Sequence, residues 1–268
     1  MKFLNSLFLI LLLSILVISC GNRDPLVYGT HYESSPISHD IFNNLLVDHV
    51  SDFGDVNYKG FIADSVRFNN YFELLENNHP NRKWSKNERL AFWINAYNAY
   101  TIRLVITNYP VKSIKDIGGS IYKVNTAWDI KLIKIGDEIY DLNNIEHQKI
   151  RGQFDEPRIH FAINCASVSC PKLFNEAFYP ERLEEQLEQV TREFINDKKK
   201  NLITSEKATL SKIFSWYRGD FKPGNKSVTD FINKYSDVKL NSDTDVDYMD
   251  YDWNLNDVQT EINSPISE

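Results

Sequence analysis

The chain has 268 residues, enough to bury a sizeable core in one large domain or two small ones. Its formal charge is -7, with 25% charged residues, and no concentrated basic patch breaks that balance, so no nucleic-acid partner is expected. The run Lys198-Lys199-Lys200 follows a helix-like segment and reads as its solvated end.

The N-terminus reads as an address. Lys2 precedes an apolar run over residues 7–18, broken only by Ser14. A basic head and a short apolar core make a secretory signal. The run falls short of the roughly 20 residues that a spanning helix needs. Val17-Ile18-Ser19-Cys20-Gly21 resembles a bacterial lipobox, which implies a lipid on Cys20. The expected organisation is a signal peptide at 1–19, a lipidated N-terminus and tether at 20–36, and a single α/β domain at 37–268. The protein is then exported and held to a bacterial membrane through Cys20, facing the periplasm or the cell surface.

In the body, Ile41, Phe42, Leu45, Leu46 and Val50 recur at helical spacing, and Ser38 is placed to cap them. A second helix is predicted over 64–76. The polar turn Asn77-Asn78-His79-Pro80 closes it, with His79 expected at the surface. The clearest helix follows. Ser85 and Glu88 stand at the capping-box spacing, and Leu90, Trp93, Ile94, Tyr97, Thr101, Leu104 and Val105 form a stripe too broad for a surface helix. This is the predicted central helix, ended by Tyr109-Pro110. Asn95 and Asn98 share one of its faces. Buried amides need partners, so they either tie the helix to a neighbouring loop or face a cleft.

Residues 121–135 read as strand material interrupted by Trp128-Asp129, with a turn at Gly136-Asp137-Glu138 and a return at Ile139-Tyr140. Asp141 can cap a helix over 142–151 carrying Glu146 and His147. Neighbours on a helix point about 100° apart, so the two are not expected to enter one site together. Residues 158–164 read as a strand. Alternation puts His160, Ala162 and Asn164 on one face and Phe161, Ile163 and Cys165 on the other. The strand ends at the loop from Cys165 to Pro171, where Cys170 can fold back to either face. In an exported protein the pair Cys165 and Cys170 suggests a disulfide, and a free reactive thiol fits equally.

Leu183, Leu187, Val190, Phe194 and Ile195 make the buried stripe of another helix, with Glu184, Glu185, Glu188 and Glu193 mostly outside. A hairpin-like link over 201–210, an aromatic anchor at Ile213, Phe214, Trp216 and Tyr217, a turn at Arg218-Gly219-Asp220 and a helix over 227–235 complete the body. Residues 248–253 alternate like a late strand. The aspartates at 243, 245, 247, 250 and 252 lack the glycine and closing glutamate of a calcium loop. No phosphate-binding glycine loop or zinc-protease signature occurs. No metal or cofactor is expected. The fold class is helix-rich α+β, with a central helix packed on a small sheet.

Several stretches together resemble the family called domain of unknown function 547. They are Ala91-Phe92-Trp93-Ile94-Asn95-Ala96-Tyr97-Asn98-Ala99, Ile145-Glu146-His147 with Arg151, and the run from Pro157 to Pro171. Lys212-Ile213-Phe214-Ser215-Trp216-Tyr217 and Tyr251-Asp252-Trp253-Asn254 extend the likeness, whose core spans about 86–223. The layout is also similar to the papain and transglutaminase-like superfamily, in which a nucleophilic cysteine starts the central helix. This chain has Trp84-Ser85 there instead, so a cysteine would have to come from the loop.

The expected function is a cell-envelope lipoprotein module that binds a peptide, glycan or protein without catalysis. Asn95, Asn98, Arg158, Asn164 and Ser167 are its candidate binding residues. The alternative is a cysteine-dependent hydrolase or acyltransferase acting on peptide or peptidoglycan amides. It would use Cys170 or Cys165 as nucleophile, His160 or His147 as base, and Glu146 as orienter. A redox-responsive cysteine pair is a third reading.

Overall fold

A computed structural model describes residues 33–119, 126–222, 224–225, 227–241 and 244–258. Residues 32–268 form one unit. The lipobox with Cys20, most of the tether and the first third of the 121–135 stretch lie outside the described residues.

Helix α1 spans Asp40–His49, later than expected. Ser38 Oγ accepts from the Asp40 N–H at 3.1 Å. Helix α2, Tyr58–Ala63, is capped by the Asn57 side chain, and α3 spans Ser65–Asn77. Their apolar stripes meet through Phe42, Tyr58, Phe61, Phe68 and Tyr71, all essentially inaccessible. His79 is buried rather than exposed. Its ring bonds Tyr140 Oη at 2.9 Å and the Pro80 carbonyl at 2.8 Å. Its aromatic body packs edge-on to Trp93, which a reading of local polarity does not reveal.

The central helix α4, Lys86–Thr107, starts with the expected capping box. Ser85 and Glu88 exchange side chain to backbone bonds. Every residue from Leu90 to Ile102 is buried, so the helix is covered all round. The two-stranded hairpin of β1, Ile133–Ile135, and β2, Glu138–Tyr140, turns at Gly136 and touches α4 through Tyr140 against Trp93. A second, three-stranded sheet has order β3-β4-β5: Leu202–Ile203 antiparallel to Lys207–Leu210, which pairs in parallel with Asp245–Tyr248. The fold is thus helix-rich α+β with small mixed sheets, as expected. The late strand is β5, earlier than the 248–253 alternation suggests.

Two segments depart from expectation, and both carry site residues. Asn144–Ile150 is a π-helical turn, closed by the Arg151 N–H on the Glu146 carbonyl at 2.9 Å. Pro157–Phe161 is a 3-10 helix, not a strand. Pro157 fixes φ at its first position, and Glu156 accepts from the Arg158 N–H. Beyond it, the Asn98 side chain takes the Ala162 carbonyl and the Asn164 N–H, both at 2.9 Å, in place of a strand partner. Among the described residues no helix is long and apolar enough to cross a membrane. Helix α5, Leu183–Asn196, packs on the 3-10 helix. The short α6, Lys212–Trp216, and α7, Val228–Tyr235, follow.

Candidate functional site

The 3-10 helix, the π-helical turn, α6 and the C-terminal segment surround a cavity of about 270 Å³. Cys165, Cys170, His160, His147 and Glu146 all line it. Aromatic rings form most of the remaining wall: Tyr97, Trp128, Trp216, Tyr217, Tyr251 and Trp253.

Because residues 157–161 coil instead of extending, strand alternation does not separate His160 from Cys165. Both reach the cavity. The π-helical turn similarly brings the sequence neighbours Glu146 and His147 to one wall, against the expectation from ordinary helix spacing.

The cysteine loop is held from both sides. Asn164 donates to the Pro171 carbonyl at 2.7 Å and accepts from the Ala166 N–H at 2.8 Å. Ala166 has φ 59°, a left-handed conformation that costs a residue with a Cβ roughly 1–2 kcal/mol. The C-terminal segment runs alongside. The Val168 N–H donates to the Asn254 carbonyl at 2.8 Å, and Asp252 N–H to Ser169 Oγ at 2.9 Å. This pairing delivers Tyr251 to the sulfur of Cys165.

Both cysteines are free. Cys165 Sγ lies 3.2 Å from Ser167 Oγ and 3.3 Å from Tyr251 Oη, while its N–H donates to Cys170 Sγ at 2.9 Å. Burial alone would raise the Cys165 thiol. Hydrogen bonds from Cys170, then Ser167 and Tyr251, outweigh that and hold it below the ordinary thiol range. Burial, then the contact with Cys165, pushes the Cys170 thiol well above that range. The two sulfurs are therefore unequal, and Cys165 is the readier thiolate.

His160 is almost wholly buried and stacks on Tyr217, with ring centroids 3.9 Å apart. Its Nε2 bonds Asp220 Oδ2 at 2.8 Å. Burial lowers its basicity, and the Asp220 bond only partly restores it. Its Nδ1 makes no hydrogen bond among the described residues. Arg151 clamps the same aspartate in two places, Nε to Oδ2 at 2.5 Å and Nη2 to Oδ1 at 2.9 Å. For Asp220, burial acts to raise the carboxyl, but the bonds from His160 and Arg151 hold it well below the usual carboxylate range. Asp220 belongs to the turn after the aromatic anchor, 60 residues from His160 in sequence. No spacing rule connects them, so the sequence gives no signal for its role. Tyr251 is missed for the same reason.

The other candidate residues sit behind the cavity or away from it. Asn95 brackets the Phe178 backbone, donating to its carbonyl at 2.8 Å and accepting from its N–H at 2.9 Å. Asn98 brackets the cysteine segment, as described above. Both amides are therefore spent on loops, the first of the two readings left open by the sequence. Arg158 forks onto Glu156 and onto Glu184 of α5. Ser167 is buried behind Cys165. No group of His, Cys, Asp and Glu able to hold a metal occurs among the described residues.

Asp220, Tyr217, Tyr251 and Trp253 stand outside the segment that family comparison matches, while Glu146, His147, His160 and both cysteines stand inside it. No curated protein and no solved structure matches the chain. Residues 81–195 match the family described as "Protein of unknown function, DUF547", so over those residues the chain carries a domain of that family.

Proposed function

We propose that this protein is an exported, lipid-anchored enzyme of the cell envelope that transfers acyl groups through the thiol of Cys165. The observation that carries the reading is one cavity shared by a free thiol held below its ordinary range and an imidazole oriented by a carboxylate. That is the division of labour used in thiol acyl transfer: nucleophile, base and orienter. The lipobox around Cys20 supports the location.

In the proposed step Cys165 gives its proton to Nδ1 of His160, and the sulfur attacks the carbonyl carbon of an amide. The C–N bond breaks, and the amine leaves with the proton from the imidazole. The acyl group stays on sulfur as a thioester. Water or a second amine then attacks the thioester, restoring the thiol. Asp220 holds His160 by its other nitrogen throughout and stabilises the imidazolium. Catalytic hydrogen bonds are often long before substrate binds, and the proposed step requires the Cys165 side chain to turn from Ser167 toward His160.

The hydroxyl partners of Cys165 favour a second reading, a binding module without catalysis, because no histidine bonds either sulfur among the described residues. An activated ester separates the two. With p-nitrophenyl acetate the enzyme reading predicts a burst of nitrophenol and an acetyl group on Cys165 by mass spectrometry. Cys165→Ala and His160→Asn should both abolish it. A burst that survives Cys165→Ala, or no acetyl on Cys165, rejects the enzyme and leaves the module.

A further inference from the structure

The cavity wall holds a buried carboxyl oxygen with nothing to accept among the described residues. Glu146 Oε1 is buried and has no hydrogen-bond partner among the described residues. Its side chain is only 6% exposed. The other oxygen, Oε2, accepts a long bond from Tyr97 Oη at 3.4 Å. A carboxylate oxygen removed from water without a donor is costly, and buried acceptors are normally paired.

The nearby cations are already committed. His147 Nδ1 lies 4.0 Å from Glu146 Oε1 but 2.7 Å from Arg151 Nη1. A guanidinium only donates, so His147 Nδ1 accepts there and carries no proton to offer Glu146. Two further Arg151 N–H groups, on Nε and Nη2, go to Asp220. The Tyr217 hydroxyl approaches the same carboxyl, yet Oε1 itself has no bond among the described residues, so a donor entering the cavity would complete it.

The walls narrow its chemistry. Trp128, Trp216, Tyr217 and Trp253 line the same cavity as Glu146. Aromatic faces attract cations, most strongly where water is displaced. These rings already take cations from outside the cavity, Lys115 over Trp253 at 4.6 Å and Arg151 over Tyr217 at 5.0 Å. A buried carboxyl oxygen inside an aromatic wall suits a primary ammonium group better than a neutral hydroxyl.

We infer that the cavity binds the ammonium group of a primary amine, with Glu146 Oε1 as its acceptor and the aromatic rings around its carbon stem. The use of that amine, as acyl acceptor or leaving group, rests on the acyl-transfer reading. Its binding rests on Glu146 and the rings alone.

The probe is n-butylamine, cationic at neutral pH, titrated into the full-length protein in detergent and followed by tryptophan fluorescence. Saturable binding is expected, with n-butanol weaker by at least about tenfold because the charge-assisted bond is lost. Glu146→Gln, which keeps the shape, should weaken butylammonium by a similar factor. Equal affinity for butanol and butylammonium in the wild type overturns the inference and needs no variant. A folded Glu146→Gln protein that binds butylammonium unchanged also overturns it. Loss of amine binding with the acetyl burst intact rejects this inference alone. Amine binding without any burst rejects the acyl-transfer reading alone.

Discussion

Asn98→Ala tests whether the central helix positions the cysteine segment. The side chain is 3% exposed and satisfies two backbone groups, the Ala162 carbonyl and the Asn164 N–H, each at 2.9 Å. Truncation leaves both buried and unpaired. Each orphaned group costs roughly 1–3 kcal/mol, so the loss is about 2–6 kcal/mol. For a unit of this size each kcal/mol moves Tm by about 2–4 °C, giving a fall of roughly 4–24 °C. Calorimetry or circular dichroism measures it. Well below the new Tm, Cys170 should become open to iodoacetamide alongside Cys165, because the segment has lost its tether to α4. Asn95→Ala is the matched control. It frees the Phe178 backbone, so it should cost similar stability while Cys170 stays protected. A Tm change below about 2 °C for Asn98→Ala would refute the reasoning, since two unpaired buried groups cannot be that cheap.

Burial holds His39 neutral down to about pH 4, whereas an unfolded histidine protonates near 6.5. As pH falls through that window the unfolded chain gains a proton that the fold refuses, so stability drops, by roughly 3 kcal/mol once both limits are passed. His39→Gln should flatten Tm between pH 6.5 and 4. The carboxyl of Asp220 is depressed, so its contribution is complete above the ordinary aspartate range and is lost as pH falls below it. Asp220→Asn should therefore remove part of the Tm decline between about pH 5 and 3. Cys20→Ser should abolish fatty-acid labelling and detergent partitioning, and unchanged labelling would contradict the lipid anchor.

The framework was legible in sequence wherever a local rule governs it. The capping box at Ser85 and Glu88, the width of the α4 stripe, the Gly136 turn and the α5 stripe all follow from neighbours within one or two turns of chain. The site was legible as a list of residues and illegible as geometry. Residues 157–164 are apolar enough for a strand, but Pro157, the Glu156 cap and the Asn98 bracket win, and the last comes from 60 residues away or more. The π-helical turn changes which side chains share a wall, and its signal is not in hydrophobic period. Asp220 and Tyr251 reach His160 and Cys165 only through tertiary closure. His79 shows the same limit, since its polar flanks hide a burial decided by Trp93 and Tyr140.

The most direct test of a primed Cys165 is its rate of alkylation by iodoacetamide against pH, read peptide by peptide in the mass spectrometer. The account predicts that Cys165 titrates below a free thiol measured in the same buffer, while Cys170 stays unmodified across the same range. Tyr251→Phe, which removes one hydroxyl from the sulfur, should move that midpoint upward. A Cys165 midpoint at or above that of the free thiol, or equal labelling of both cysteines in the folded protein, would contradict the account.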